Sequence, residues 1–318
     1  MIVRIARVKV GHCQALTQNP VAAATGFFYC CCGYDRTMTT IHYSILAWVP
    51  SLAYMALWLP ALVELRRTSA TRPWGRSWQA ACLFLATALH AALLFEQMYG
   101  QGLPQVGFAL ALSATALSCL LCFLWGGLFE RIEALRVVLL PVAALTALLP
   151  LYVDSRAAQG IDNAAVFVIH LGAGLLAYGA LAFAVALALV MALLDWVLHR
   201  PQIEKKSYLY IKELLLLSPP LLSLERLLFR VIGVAFTVLS LTLLSGVIFA
   251  ETLSLTLRLD HKTLFSLLSW GILALLLWGH RKYGWRGRAA LAYVLAGYLM
   301  LMLAYIGTQF VLQMILHR

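Results

Sequence analysis

The sequence predicts an all-α fold, a polytopic integral membrane helical bundle of about eight transmembrane helices, and three observations predict it. Of the 318 residues 63% are hydrophobic and 12% charged, where soluble domains carry roughly 25% charge. Apolar runs of eighteen or more residues without a charge recur along the chain, and a helix needs about 20 residues to cross a hydrocarbon core ~30 Å thick. The formal net charge of +11 is scattered over short connections between those runs. A nucleic-acid partner needs a gathered basic patch, so none is expected; the lipid bilayer is the expected surrounding.

The spans read as residues 43–64, 77–98, 106–129, 136–153, 164–197, 228–250, 263–280 and 289–314. One alternate set of connections carries Arg66, Arg67, Arg72, Arg76, Arg131, Arg136, Arg200, Lys205, Lys206, Lys212, Arg226, Arg230, Arg281, Lys282, Arg286 and Arg288. The other set, with the C-terminus, carries only Arg156, Arg258, Lys262 and Arg318. The basic excess marks the cytoplasmic side, so both termini are expected on the outer side. Arg4, Arg7, Lys9 and Arg36 run against that orientation. Residues 1–37 are therefore read as an N-terminal extension or a start assigned too early, with Met38 as the expected start. Residues 38–318 are read as one membrane domain.

The fifth span is long, about 50 Å for 34 residues at ~1.5 Å each. Its first half carries Gly172, Gly174 and Gly179 among alanines, a content that lets helix backbones approach closely in lipid. A cytoplasmic connection over about 198–227 follows, in which Ser218-Pro219-Pro220 marks a break and a helix restart. Leu221 to Phe229 reads as an interfacial helical lead into the sixth span.

Charged residues avoid the span interiors: Glu64, Glu96, Glu130 and Asp195 fall near span ends. Intramembrane charges mark ion pathways, so their scarcity argues against a coupled transporter. Cys119 and Cys122 share a helix face as Cys-x-x-Cys, a spacing open to redox chemistry and equally to core packing. No paired carboxylates, nucleophile–base pair or phosphate loop occurs, and the chain is not expected to be an enzyme.

Histidine remains. His170 opens the fifth span at the outer face, His261 opens the seventh there, and His317 closes the eighth. His90 lies within the second span and His280 at the cytoplasmic end of the seventh. Imidazole is an axial ligand for haem iron, and a bis-histidine site needs two rings from different helices facing one cavity. His170 with His317, or either with His261, are the candidates for such a pair at the outer face; His90 with His280 are candidates for a second within the membrane, on the condition that the second and seventh helices are adjacent. A histidine at a span end also serves as an ordinary interfacial polar group. A ring buried in a span costs free energy unless it is hydrogen-bonded or ligating, which singles out His90.

Four motifs in order carry a resemblance. They are His170-Leu-Gly-Ala-Gly-Leu-Leu-Ala-Tyr178-Gly, Leu217-Ser-Pro-Pro-Leu-Leu-Ser-Leu-Glu-Arg-Leu-Leu-Phe229, Asp260-His-Lys262-Thr-Leu-Phe-Ser-Leu-Leu-Ser-Trp270 and Tyr283-Gly-Trp-Arg-Gly-Arg288. Over residues 40–318 the chain resembles the cytochrome c assembly membrane family, in its YpjD and HemX branch. The resemblance implies a multi-pass protein of the bacterial inner membrane with periplasmic termini, haem as cofactor, and other cytochrome c assembly or membrane proteins as partners. It implies His170 and His317 as outer ligands of haem iron, His90 and His280 as a buried pair, and Asp260, with His261 and Lys262, beside the outer site. One departure stands out. Haem-delivering members carry a tryptophan-rich external loop before the seventh span, whereas Glu251 to Asp260 holds no tryptophan. The expectation is a haem carrier or chaperone; the alternative is a non-haem scaffold or accessory subunit that keeps the fold without that platform.

Overall fold

Each long apolar run becomes one helix. A computed structural model of the chain describes residues 36–64, 74–99, 107–128, 132, 135–153, 164–198, 220–252 and 261–304. Among them are eight α-helices and no strand. We number them α1 (Arg36–Glu64), α2 (Trp74–Tyr99), α3 (Phe108–Gly126), α4 (Arg136–Tyr152), α5 (Ala164–Leu198), α6 (Leu221–Thr252), α7 (His261–Tyr283) and α8 (Arg288–Met302). The described residues of a first contact unit, Met1–Ile45, are helical; the second unit, Leu46–Arg318, holds everything described below.

Five helices are long and apolar enough to cross a membrane, and Trp48–Leu62, Arg136–Tyr152 and Arg288–Met302 are shorter apolar ones. The chain is thus a polytopic membrane helical bundle, and its outward apolar side chains, such as Phe84, Leu85 and Leu145, are at home in lipid.

α5 is the central helix. It packs on α6, α3 and α8, while α4 and α2 pack on α3 and α7 packs on α6 and α8. Ala177, Ala180, Leu181, Phe183, Ala184 and Leu187 are almost wholly buried along it. Alanine and glycine at this crossing replace bulk by backbone proximity, the main source of helix association where water supplies no hydrophobic drive. Gly179 makes the closest approach: a Cβ there would lie 2.2 Å from Ser118 Cβ and 2.7 Å from the Cys119 backbone nitrogen.

Proline stands inside two helices, at Pro50 and Pro60 of α1 and at Pro141 and Pro150 of α4. A proline leaves the carbonyl four residues back without its helical donor. For Pro141 that carbonyl is Val137, and the Trp58 indole N–H of α1 donates to it at 2.9 Å. Ser51 donates to the Ala144 carbonyl at 2.9 Å in the same interface. α6 starts directly after Pro219-Pro220, with the Pro220 carbonyl accepting from Ser223 and Leu224. The stretch Leu221 to Phe229 is continuous with the span, with Leu224, Leu227 and Leu228 buried in protein and Leu221 and Leu222 exposed. The connection over 199–219 lies outside the described residues.

Candidate functional site

His170 sits in the first third of α5 and turns toward α6. Its ring is partly buried, and Nδ1 lies 2.9 Å from Ser245 Oγ. Ser245 in turn donates to the Thr242 carbonyl at 2.9 Å. The next residue is Gly246, and a Cβ there would lie 3.3 Å from His170 Cε1, so the glycine leaves room for the ring. Gly174 meets only Thr242 Cγ2, at 3.7 Å, and nothing lies within 4 Å of a Cβ built on Gly172. Small residues on both helices thus make a seam with the imidazole at its edge. The glycines of α5 are legible in the sequence as a packing surface. Ser245-Gly246, their counterpart in α6, is the one polar and small pair in that stretch of α6 and carries the same signal.

Tyr178, the second member of the histidine motif, is buried and donates from its hydroxyl to the Leu301 carbonyl of α8. It ties α5 to α8. His317 and Asp260 both lie outside the described residues. His261 and Lys262 are the first two residues of α7, His261 exposed and Lys262 partly so. At the far end of that motif Trp270 donates its indole N–H to Ser240 Oγ of α6 at 2.9 Å and stacks on Phe236 with centroids 5.5 Å apart. Ser269 donates to the Gly297 carbonyl of α8 at 2.8 Å. The motif fastens α7 to α6 and α8.

His90 is 2% exposed, between α1, α2 and α3. Its Nδ1 is 3.3 Å from the Tyr54 hydroxyl and its Nε2 is 2.9 Å from Ser113 Oγ. Both ring nitrogens therefore have protein partners, which meets the demand that a buried polar group be hydrogen-bonded. Neither Tyr54 nor Ser113 stands out in the sequence, because each is a single polar residue within an apolar span.

His280 has different neighbours. It stacks on Phe229 of α6, with centroids 3.4 Å apart and planes 14° from parallel, and its Nδ1–H donates to the Trp285 carbonyl at 2.9 Å. His90 and His280 are not brought together by these contacts. The turn that supplies Trp285 is shaped by Gly284 and Gly287, at φ +67 and +54. Gly284 N–H bonds back to the His280 carbonyl at 3.1 Å, a left-handed cap on α7. Trp285 lies flat against Gly279 and stacks on Tyr293 at 4.9 Å, and Arg286 pairs with Glu225 at 3.0 Å. The two motifs at Leu217–Phe229 and Tyr283–Arg288 thus form one cluster of rings closed by an ion pair.

Cys119 and Cys122 are free thiols, Cys119 buried and Cys122 partly so. Among the described residues no three His, Cys, Asp or Glu side chains gather as a metal group.

The relatives match most of the chain in sequence. The chain is 28% identical over 281 residues to the inner membrane protein YpjD of Escherichia coli K12, covering 86% of this chain and 98% of that protein. It is 30% identical over 273 residues to a 28.8 kDa protein of Azospirillum brasilense described as uncharacterized, in a nifR3-like 5′ region, covering 83% of this chain and 96% of that one. The family model described as cytochrome C assembly protein matches residues 48–316, which includes every helix contact described above apart from the first turns of α1. The chain belongs to the cytochrome c assembly protein family.

Proposed function

We propose that the chain is a haem-binding carrier or chaperone of cytochrome c assembly, which holds haem through histidine and turns over no substrate. The observation that supports this best is the setting of His170. Its ring stands at a seam of small residues, hydrogen-bonded through Nδ1 to a hydroxyl of the neighbouring helix. Metal-ligating histidines have that arrangement, one nitrogen bound to an outer partner and the other toward the metal. Among the described residues His170 would hold the haem iron; His317 is the candidate second ligand, and Asp260, His261 and Lys262 are the candidate neighbours from the sequence. When bound, haem would supply an iron centre that imidazole can ligate. The chain's own residues orient the ring, and Tyr178 holds α5 against α8 through the Leu301 carbonyl. Loop charge favours the non-cytoplasmic side for this end.

His90 and His280 have protein partners at the nitrogens named above and act in this reading as structural residues. Protein purified in mild detergent is expected to show a bis-histidine Soret spectrum, with haem confirmed by the pyridine haemochrome, that is lost or shifted in His170→Ala and His317→Ala. Colourless protein that takes up no added haemin would overturn the reading in favour of a scaffold or accessory subunit.

A further inference from the structure

We propose that Ser245 is a positioning residue that holds His170 as the Nδ1–H tautomer, so that Nε2 carries the lone pair. The argument counts protons. A serine hydroxyl has one proton and two acceptor lone pairs, and a carbonyl oxygen can only accept. Ser245 Oγ is 2.9 Å from the Thr242 carbonyl and 2.9 Å from His170 Nδ1. Both contacts are hydrogen bonds only if Ser245 gives its proton to Thr242 and receives one from Nδ1. A neutral imidazole has one N–H, which leaves Nε2 as its basic atom.

The device is rigid. Ser245 is locked to its own helix by the bond to Thr242, one turn back, so its oxygen presents a fixed acceptor. Gly246 beside it leaves room for the ring, since a Cβ there would lie 3.3 Å from Cε1. The serine therefore sets the tautomer of His170, and the glycine leaves the ring its space. The use of that tautomer, metal ligation through Nε2, rests on the haem reading above; the tautomer itself does not.

The test uses the full chain in detergent micelles with 15N-labelled histidine and no added haem, at mildly alkaline pH. His170 is assigned by difference from His170→Gln. The expected result is a pyrrole-type shift for Nδ1 and a pyridine-type shift for Nε2, which becomes a tautomer mixture in Ser245→Ala and is restored in Ser245→Thr. A wild-type Nε2–H tautomer, or a Ser245→Ala spectrum identical to wild type, would overturn the proposal. Haemin titration of the same proteins separates the two ideas. Weakening of about 10-fold or more in Ser245→Ala, with Ser245→Thr near wild type, supports the positioning role. The predicted tautomer in a wild-type protein that binds no haemin supports the Ser245 assignment and overturns the haem reading. Haem held through His170 with equal affinity in Ser245→Ala overturns the positioning role alone.

Discussion

His280 lies face to face on Phe229, with ring centroids 3.4 Å apart, and this contact joins the start of α6 to the end of α7. Around it the Glu225–Arg286 ion pair and the Trp285–Tyr293 stack close one end of the bundle. Aromatic pairs contribute about 0.5–1.5 kcal/mol beyond their buried area. A double-mutant cycle on Phe229→Ala and His280→Ala, read by thermal unfolding in detergent, is expected to give a coupling of about 1 kcal/mol. Additive effects would show that the stack carries no energy.

The ion pair should matter less. Arg286 is 61% exposed, and exposed pairs contribute roughly 0–1 kcal/mol and weaken with salt. Glu225→Gln is expected to lower the melting temperature only slightly at low salt, and not measurably at high salt. A large loss that persists in high salt would mean that Glu225 does something other than pair with Arg286.

Gly179 and Gly233 should respond oppositely to alanine. At Gly179 the new methyl collides with α3 backbone and Ser118 Cβ, while nothing lies within 4 Å at Gly233. Overpacking costs about 1–3 kcal/mol, and alanine in an unobstructed helix gains up to ~1 kcal/mol over glycine. Gly179→Ala is thus expected to lower the yield of folded protein or its unfolding temperature, and Gly233→Ala to leave both unchanged or raised. Equal behaviour would contradict the close α3–α5 crossing.

His90 separates a structural ring from a ligand. Its two nitrogens meet Tyr54 and Ser113, and removing it leaves two hydroxyls in an apolar interior, at about 1–3 kcal/mol for each group left unsatisfied. His90→Ala is expected to lower thermal stability clearly while any haem spectrum keeps its shape. Loss of the spectrum in protein that remains folded would make His90 a ligand.

Much of the architecture was legible because lipid imposes a blunt rule: a spanning segment must be long, apolar and helical to satisfy its own backbone. The expected spans and the eight helices coincide to within a few residues at most ends, apart from α1 and α6, which begin earlier, and the last span, which is described as α-helix to Met302. The first turns of α6 show where the rule is silent. Leu221 to Phe229, with Glu225 and Arg226 among leucines, reads as amphipathic and interfacial, and one face of it meets protein: His280 of α7 stacks on Phe229 and Arg286 of the α7–α8 turn pairs with Glu225, while Leu221 and Leu222 stay exposed. Amphipathicity says that a face needs a partner; it does not say whether the partner is lipid headgroup or protein.

The histidines divide the same way. Sequence placed them by depth along each span, and so it determined the all-α membrane fold, the family motifs in their order and His170 as a candidate ligand at a span end. Only tertiary structure decided which hydroxyl each ring meets: Ser245 for His170, Tyr54 and Ser113 for His90, and the Trp285 carbonyl for His280. The physical reason is that hydropathy is a property of one chain segment, whereas a hydrogen bond between helices depends on their rotation and crossing. Those are set by where glycine and alanine allow backbones to meet.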